Sequence, residues 1–185
     1  MRHPARWALA VTAGLVLILL VAWLLPGGLE LSITPVKGGA PLLVLPLQPG
    51  ERFTLYYHHS VNHLPIWEEH SADQNGRIYI EEERFVSFNA GMGHWAGHGR
   101  HVMKNGYQVL EHIHMPVGSF VLRVGSPGVD HTILWRHTST NLSRLVPGQA
   151  VLVAARPVSL LHRLWRAIFP NPATPSPGAA NVPQQ

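Results

Sequence analysis

Hydrophobic positions along this chain fall into three regimes: one unbroken block, a long series of short alternating runs, and one short stretch at helical spacing. The block, WALAVTAGLVLILLVAWLL, covers residues 7–25, 19 residues without a charge. As a helix rising about 1.5 Å per residue it reaches roughly 28 Å, close to the thickness of a bilayer's hydrocarbon core. It has no polar face, which a helix packed in a soluble domain would show. Trp23, Leu24 and Leu25 run straight into Pro26-Gly27-Gly28. A cleaved signal peptide would instead carry a shorter apolar run and a small-x-small site, so we expect a retained spanning helix.

After that break the pattern changes period. Short runs rich in Val, Ile, Leu, Phe and Tyr, separated by turn residues, predict strands at 29–34, 41–47, 52–58, 77–81, 107–115, 119–124, 131–135 and 150–155. In the third, Phe53, Leu55 and Tyr57 fall on one face while Thr54, Tyr56 and His58 fall on the other. Asn75-Gly76 and Asn105-Gly106 are hairpin signals. From Pro157 the period lengthens: Leu160, Leu161, Leu164, Trp165, Ile168 and Phe169 share one side of a helix, with His162, Arg163 and Arg166 opposite. This basic amphipathic helix either lies on the outer leaflet, with Arg163, Trp165 and Arg166 at the membrane surface, or packs on the sheet. Residues 171–185, with four prolines and no apolar periodicity, are expected to be disordered.

The predicted architecture is therefore all-β: a small β-sandwich or incomplete barrel on a single N-terminal transmembrane helix, with a short C-terminal amphipathic helix. The expected divisions are 1–28 (basic flank and anchor), 29–156 (β domain), 157–170 (amphipathic helix) and 171–185 (tail).

Charge adds an orientation. Arg2 and Arg6 precede the apolar block and only Lys37 follows it closely. The positive-inside bias then places the N-terminus in the cytoplasm and the β domain outside it, giving a single-pass protein of the inner (cytoplasmic) membrane with a periplasmic domain. The net charge is +4, with no basic stripe interleaved with aromatics, so the bilayer is an expected partner and nucleic acid is not. The absence of cysteine excludes disulfides, thiolate metal sites and a cysteine nucleophile.

Thirteen histidines are the main candidate chemistry. They cluster as His58, His59 and His63, as His94, His98 and His101, and as His112 and His114. Imidazole is a ready metal ligand, so His94, His98 and His101 are the candidate metal site, although GMGHWAGHGRH is too rich in glycine for a helix that would align them. No motif demands another cofactor. His112 and His114 are expected to alternate on one strand face. Ser60 beside His59 lacks a nucleophile elbow, and Glu68, Glu69 and Glu81 to Glu83 read as a solvated sheet edge, so catalysis is a distant third reading.

One stretch is more specific. Tyr57-His58-His59-Ser60-Val61, then Pro65, Ile66 and Glu68, then Arg84-Phe85 with Ser87-Phe88, and finally Ala90-Gly91-Met92, resembles the bacterial family called domain of unknown function 1850. Ile66 stands for the family's usual valine, and Asn89 and Gly93 depart from its glycine and proline. The resemblance spans about residues 30–155 and implies an extracytoplasmic, often membrane-anchored protein encoded near TAXI-type TRAP transporters. A TRAP-type transporter subunit is thus the implied partner. His59, Ser60, Glu68 and Gly91 form the candidate polar site, with His59 and Glu68 expected within hydrogen-bonding reach across the Pro65 turn, as a structural pin or as a small polar pocket. Two functions follow as expectations: an accessory or interaction domain beside a solute transporter, or a periplasmic domain that binds a metal or small ligand through its histidines.

Overall fold

The computed structural model describes residues 4–87 and 98–174. Helix α1, Pro4–Leu24, contains one span, Trp7–Leu24, long and apolar enough to cross a membrane, and none of that span is buried within the protein. Strand β1, Pro26–Pro35, starts two residues after α1 ends. The strands that follow are β2 (Leu43–Leu47), β3 (Phe53–His58), β4 (Pro65–Ala72), β5 (Ile78–Phe85), β6 (Arg100–Lys104), β7 (Tyr107–Glu111), the two-residue β8 (Met115–Pro116), β9 (Phe120–Arg123), β10 (Thr132–Trp135) and β11 (Thr138–Asn141). A single turn of helix, α2 (Leu142–Leu145), leads to β12 (Ala150–Ser159) and α3 (Leu160–Ile168).

Among the described residues the strands form two sheets, as expected of an all-β sandwich. A four-stranded sheet has the order β2-β1-β12-β9, and a larger one the order β11-β10-β3-β4-β5-β7-β6, with β8 against β5. Leu29, Leu31 and Ile33 alternate along β1 into the interior, where Leu43, Leu45 and Leu47 of β2 and Val151 and Val153 of β12 join them. Across the gap, Phe53 and Leu55 of β3, Ile78 of β5 and Ile133 and Trp135 of β10 complete the core. Alternation at period two, with interior positions filled by branched or aromatic residues, is what allows two sheets to share one apolar layer.

Several local outcomes differ from expectation, among them three with a clear physical reason. Strand β12 runs past Pro157 to Ser159, because β9 covers only Ala150 to Val153 and the far end of β12 has β1 as its one partner. A proline without an N–H is tolerated at such an edge position. Strand β4 was not foreseen, since PIWEEHSA carries polar side chains on both faces. The predicted strand 107–115 stops at Glu111, because His112 and His114 both adopt positive φ, +59° and +40°, so they do not alternate on a strand face.

The junction between α1 and the sandwich is tight. Leu25 still donates to Val21 O in helical fashion (2.9 Å), while its own carbonyl accepts from Leu160 N at 2.8 Å. Pro26 pairs with Ser159, followed by an irregularity before Leu29. Gly27 is required there: a Cβ would lie 2.3 Å from the Ser159 carbonyl oxygen.

Candidate functional site

The family-like stretch occupies β3, β4 and β5, and its register decides which side chains meet. Leu55 faces Glu68, and Phe53 faces His70, across β3 and β4. Glu68 in turn faces Glu83 on β5. Since Leu55 and Phe53 belong to the core, Glu68, His70 and Glu83 project into the sandwich too. A bulge makes this possible. Register shifts between Glu69 and His70: Glu69 pairs with Glu82 but His70 with Ile80, leaving Glu81 as the extra residue. Ile78 and Ile80 point inward before the bulge, Glu83 and Phe85 after it; without the inserted residue Glu83 would face solvent. The expected solvated run of glutamates is therefore corrected, because Glu83 is only 3% exposed.

Within this interior cluster the Tyr57 hydroxyl donates to Glu68 Oε1 at 2.6 Å. Burial raises the Glu68 pKa to about 7; Glu83 adds to that rise while the Tyr57 hydrogen bond opposes it. Burial, with the neighbouring Glu68 charge, also pushes the Tyr57 phenol up, so it stays a donor. His70 lies stacked between Phe53 (5.3 Å) and Phe120 of β9 (5.5 Å), its Nδ1 3.1 Å from the Glu68 carbonyl oxygen and its Nε2 3.9 Å from Glu68 Oε2. Burial lowers its pKa to about 4, so the ring is neutral at physiological pH. His131 packs against Tyr57 at 5.2 Å and accepts from Gly125 N, its pKa likewise depressed by burial. The arrangement is a proton-holding cluster: one carboxyl poised near neutrality, a fixed phenol donor and two neutral imidazoles.

The opposite face of the same strands is an aromatic and cationic ladder. Tyr56 packs on Trp67 (5.3 Å), Trp67 on Tyr107 (5.5 Å), and the Arg84 guanidinium lies 4.4 Å from the Trp67 ring centre. Beside the bulge a polar groove of about 300 Å³ is lined by Arg52, Ser71, Asp73, Tyr79, Glu81 and His114, among others. Tyr79 and His114 stack there at 4.6 Å, and His114 Nδ1 lies 3.1 Å from Glu81.

The structure does not bring His59 to Glu68. His58 pairs with Pro65, so His59 and Ser60 already lie in the β3–β4 turn, where His59 Nδ1 accepts from Val61 N at 3.2 Å. Glu68 meets Tyr57 instead. Gly91 and His94 lie outside the described residues. His98 Nδ1 is 3.2 Å from Ile113 O, and His101 Nε2 is 2.6 Å from Gln108 Oε1. Among the described residues no group of three or more His, Asp or Glu side chains is placed to hold a metal. Arg163 donates to Gly27 O (2.9 Å), Arg166 Nε lies 3.8 Å from Glu30 Oε2, and Trp165 is exposed. Sequence reasoning missed Glu83 and His70; the signal for Glu83 was the change of parity from Ile78 and Ile80 to Phe85.

No curated protein and no solved structure matches this chain significantly. Residues 53–142, which contain Tyr57, Glu68, His70, Glu83 and His131, match the family model described as Domain of unknown function (DUF1850).

Proposed function

We propose that this protein is a membrane-anchored, extracytoplasmic accessory domain that docks against a membrane partner, a solute transporter of the TRAP type, without carrying out a reaction of its own. The observation that carries this reading is the junction of α1 with the sandwich. A helix apolar enough to span a membrane passes into β1 with no linker and is clamped by the Leu160–Leu25 hydrogen bond. Such a joint holds a domain in one attitude to the bilayer, which suits a docking module whose partner lies in the same membrane. Arg2 and Arg6 before the apolar span favour an outside location for the β domain. The Trp67, Tyr107 and Arg84 ladder offers the residue types that interfaces prefer.

The test is in-cell photo-crosslinking from Trp67 or Tyr107 in the full chain, followed by identification of the captured protein. Crosslinks to a TRAP-type permease subunit are expected, and inserting a dozen flexible Gly/Ser residues between Leu25 and Pro26 should abolish them while leaving the protein in the membrane. Capture of periplasmic soluble proteins alone, unaffected by the insertion, would overturn the reading.

The polar groove at Arg52, Glu81 and His114 supports a second reading, binding of a small polar ligand, because it gathers cationic, anionic and stacking groups at one bulge. Calorimetric titration of the full chain in detergent micelles, compared with the His114→Ala variant, separates the two.

A further inference from the structure

Helix α3 is mounted the wrong way round for a helix of a soluble domain. Amphipathic helices ordinarily turn their apolar stripe to the core and their charges to water. Here the polar side faces the protein. Ser159 caps the helix by accepting from His162 N, and His162 Nε2 then sits 3.0 Å from Glu30 Oε2 on the outer face of β1. Arg166 lies on the same carboxylate, which Arg156 also binds at 2.7 Å, and Arg163 donates to Gly27 O. Burial pushes the Glu30 pKa up, but the hydrogen bonds from His162 and Arg156 outweigh it and hold the group ionised. With its cations committed inward, α3 presents Leu164 (50% exposed), Trp165 (57%), Ile168 (70%) and Phe169 (52%) to the outside, and has no buried residue of its own.

This face continues an apolar surface that already exists. The end of α1 leaves Trp23, Leu24 and Leu25 exposed, and Leu160, the first residue of α3, is hydrogen-bonded to Leu25. The apolar side of α3 thus begins where the spanning segment ends, at the depth where a bilayer gives way to headgroups. Side chains of Leu, Trp, Ile and Phe are those that enter that boundary, with indole at the interface.

We infer that α3 is a second membrane contact: it lies in the interface of the leaflet from which α1 emerges, apolar face in lipid, and its cations bind the protein instead of headgroups. The inference rests on the reading of α1 as a membrane anchor. It has an unusual corollary. Ordinary basic amphipathic helices need anionic lipid. This one inserts equally into neutral phosphatidylcholine and into vesicles containing phosphatidylglycerol.

The chain has no cysteine, so single labelling sites are available without other changes. Full-length protein carrying Ile168→Cys or, as a control, Val36→Cys is labelled with an environment-sensitive fluorophore and reconstituted into vesicles with nitroxide-labelled acyl chains. Val36 is exposed and lies just past the far end of β1. The expected result is a blue-shifted label at position 168, quenched several-fold more than that at position 36, to the same extent with and without phosphatidylglycerol. A label at position 168 as wet and as unquenched as that at 36 overturns the inference. So does a blue-shifted label that acyl nitroxides do not quench, which would mean that a second copy of the chain covers α3. Quenching only with anionic lipid overturns the assignment of the cations. Alkaline extraction of the same vesicles tests α1 separately: release of the chain defeats the anchor reading, whereas retention with a wet position 168 defeats only the present one.

Discussion

Glu68 on β4 and Glu83 on β5 stand directly opposite each other on the interior face of the large sheet, two carboxyls where the alternation of the strands calls for apolar side chains. Like charges opposed across a sheet repel, and burial multiplies the cost, so the cheaper state keeps a proton on the pair. That proton sits on Glu68 up to about pH 7, with the Tyr57 hydroxyl held against the carboxyl oxygen.

Stability should therefore depend on pH through Glu68 in a definite direction. Its folded pKa of about 7 lies above its ordinary 4.5, so the contribution is fully present below pH 4.5 and is lost as pH rises through 7. The gap corresponds to roughly 3 kcal/mol. Glu68→Gln, which cannot ionise, should be more stable than the parent at pH 8 by up to about that amount and indistinguishable from it near pH 4. Urea unfolding of the full chain in detergent at the two pH values measures the difference; equal stabilities at pH 8 would mean that Glu68 is not poised as described.

His70 works in the opposite sense. Its folded pKa of about 4 lies below its ordinary 6.5, so its contribution is present above pH 6.5 and is lost as pH falls through 4. Between about pH 4.5 and 6.5 the slopes from Glu68 and His70 nearly cancel. Each single variant should expose the other group: relative to the parent, the slope of stability against rising pH should turn upward across this interval in Glu68→Gln and downward in His70→Phe, with the double variant lying between the two. Parallel slopes in the two single variants would contradict the opposed shifts.

The Tyr57 hydroxyl should be worth more with the carboxyl than without it. Tyr57→Phe leaves a buried oxygen of Glu68 without its donor and is expected to cost about 1–3 kcal/mol. In the Glu68→Gln background the same change should cost less, giving a coupling of about 1 kcal/mol or more in a double-mutant cycle. Strict additivity would show that the 2.6 Å contact carries no energy of its own.

Much of the sandwich was legible because Leu29, Leu31 and Ile33 of β1 and Phe53, Leu55 and Tyr57 of β3 recur at period two, with Gly38 and Gly39 marking the turn after β1 and Gly50 the turn before β3. Strand β4 was not, for the same reason that it matters: Glu68 and His70 occupy interior positions, so the apolar pattern fails where the cluster is built. The clue to Glu83 was present as a parity change across Glu81, but parity alone does not say which carboxylate goes inside. Pairing His59 with Glu68 failed on loop length. The β3–β4 turn begins after His58, and this places His59 outside the sheet. For α3, periodicity showed two faces and could not say which one meets the protein. That is decided by Glu30, 132 residues away from His162 in the chain.

Removing that carboxylate should loosen α3 and little else. Glu30→Ala leaves Arg156, His162 and Arg166 without their shared anion, and a charged hydrogen bond of this kind contributes about 2 kcal/mol. Hydrogen exchange at residues 160–168 should then quicken by roughly thirtyfold while the core strands β1 and β3 keep their protection. Uniformly faster exchange throughout the sandwich would place Glu30 in the global fold instead.

The missing linker between Leu24 and Pro26 also limits where this molecule can find anything. A domain on a slack tether sweeps a hemisphere and meets whatever diffuses through it. On the anchor reading proposed above, the large motions left to a domain without slack are lateral drift and spin about the membrane normal, so its encounters become a search in two dimensions at a high effective concentration.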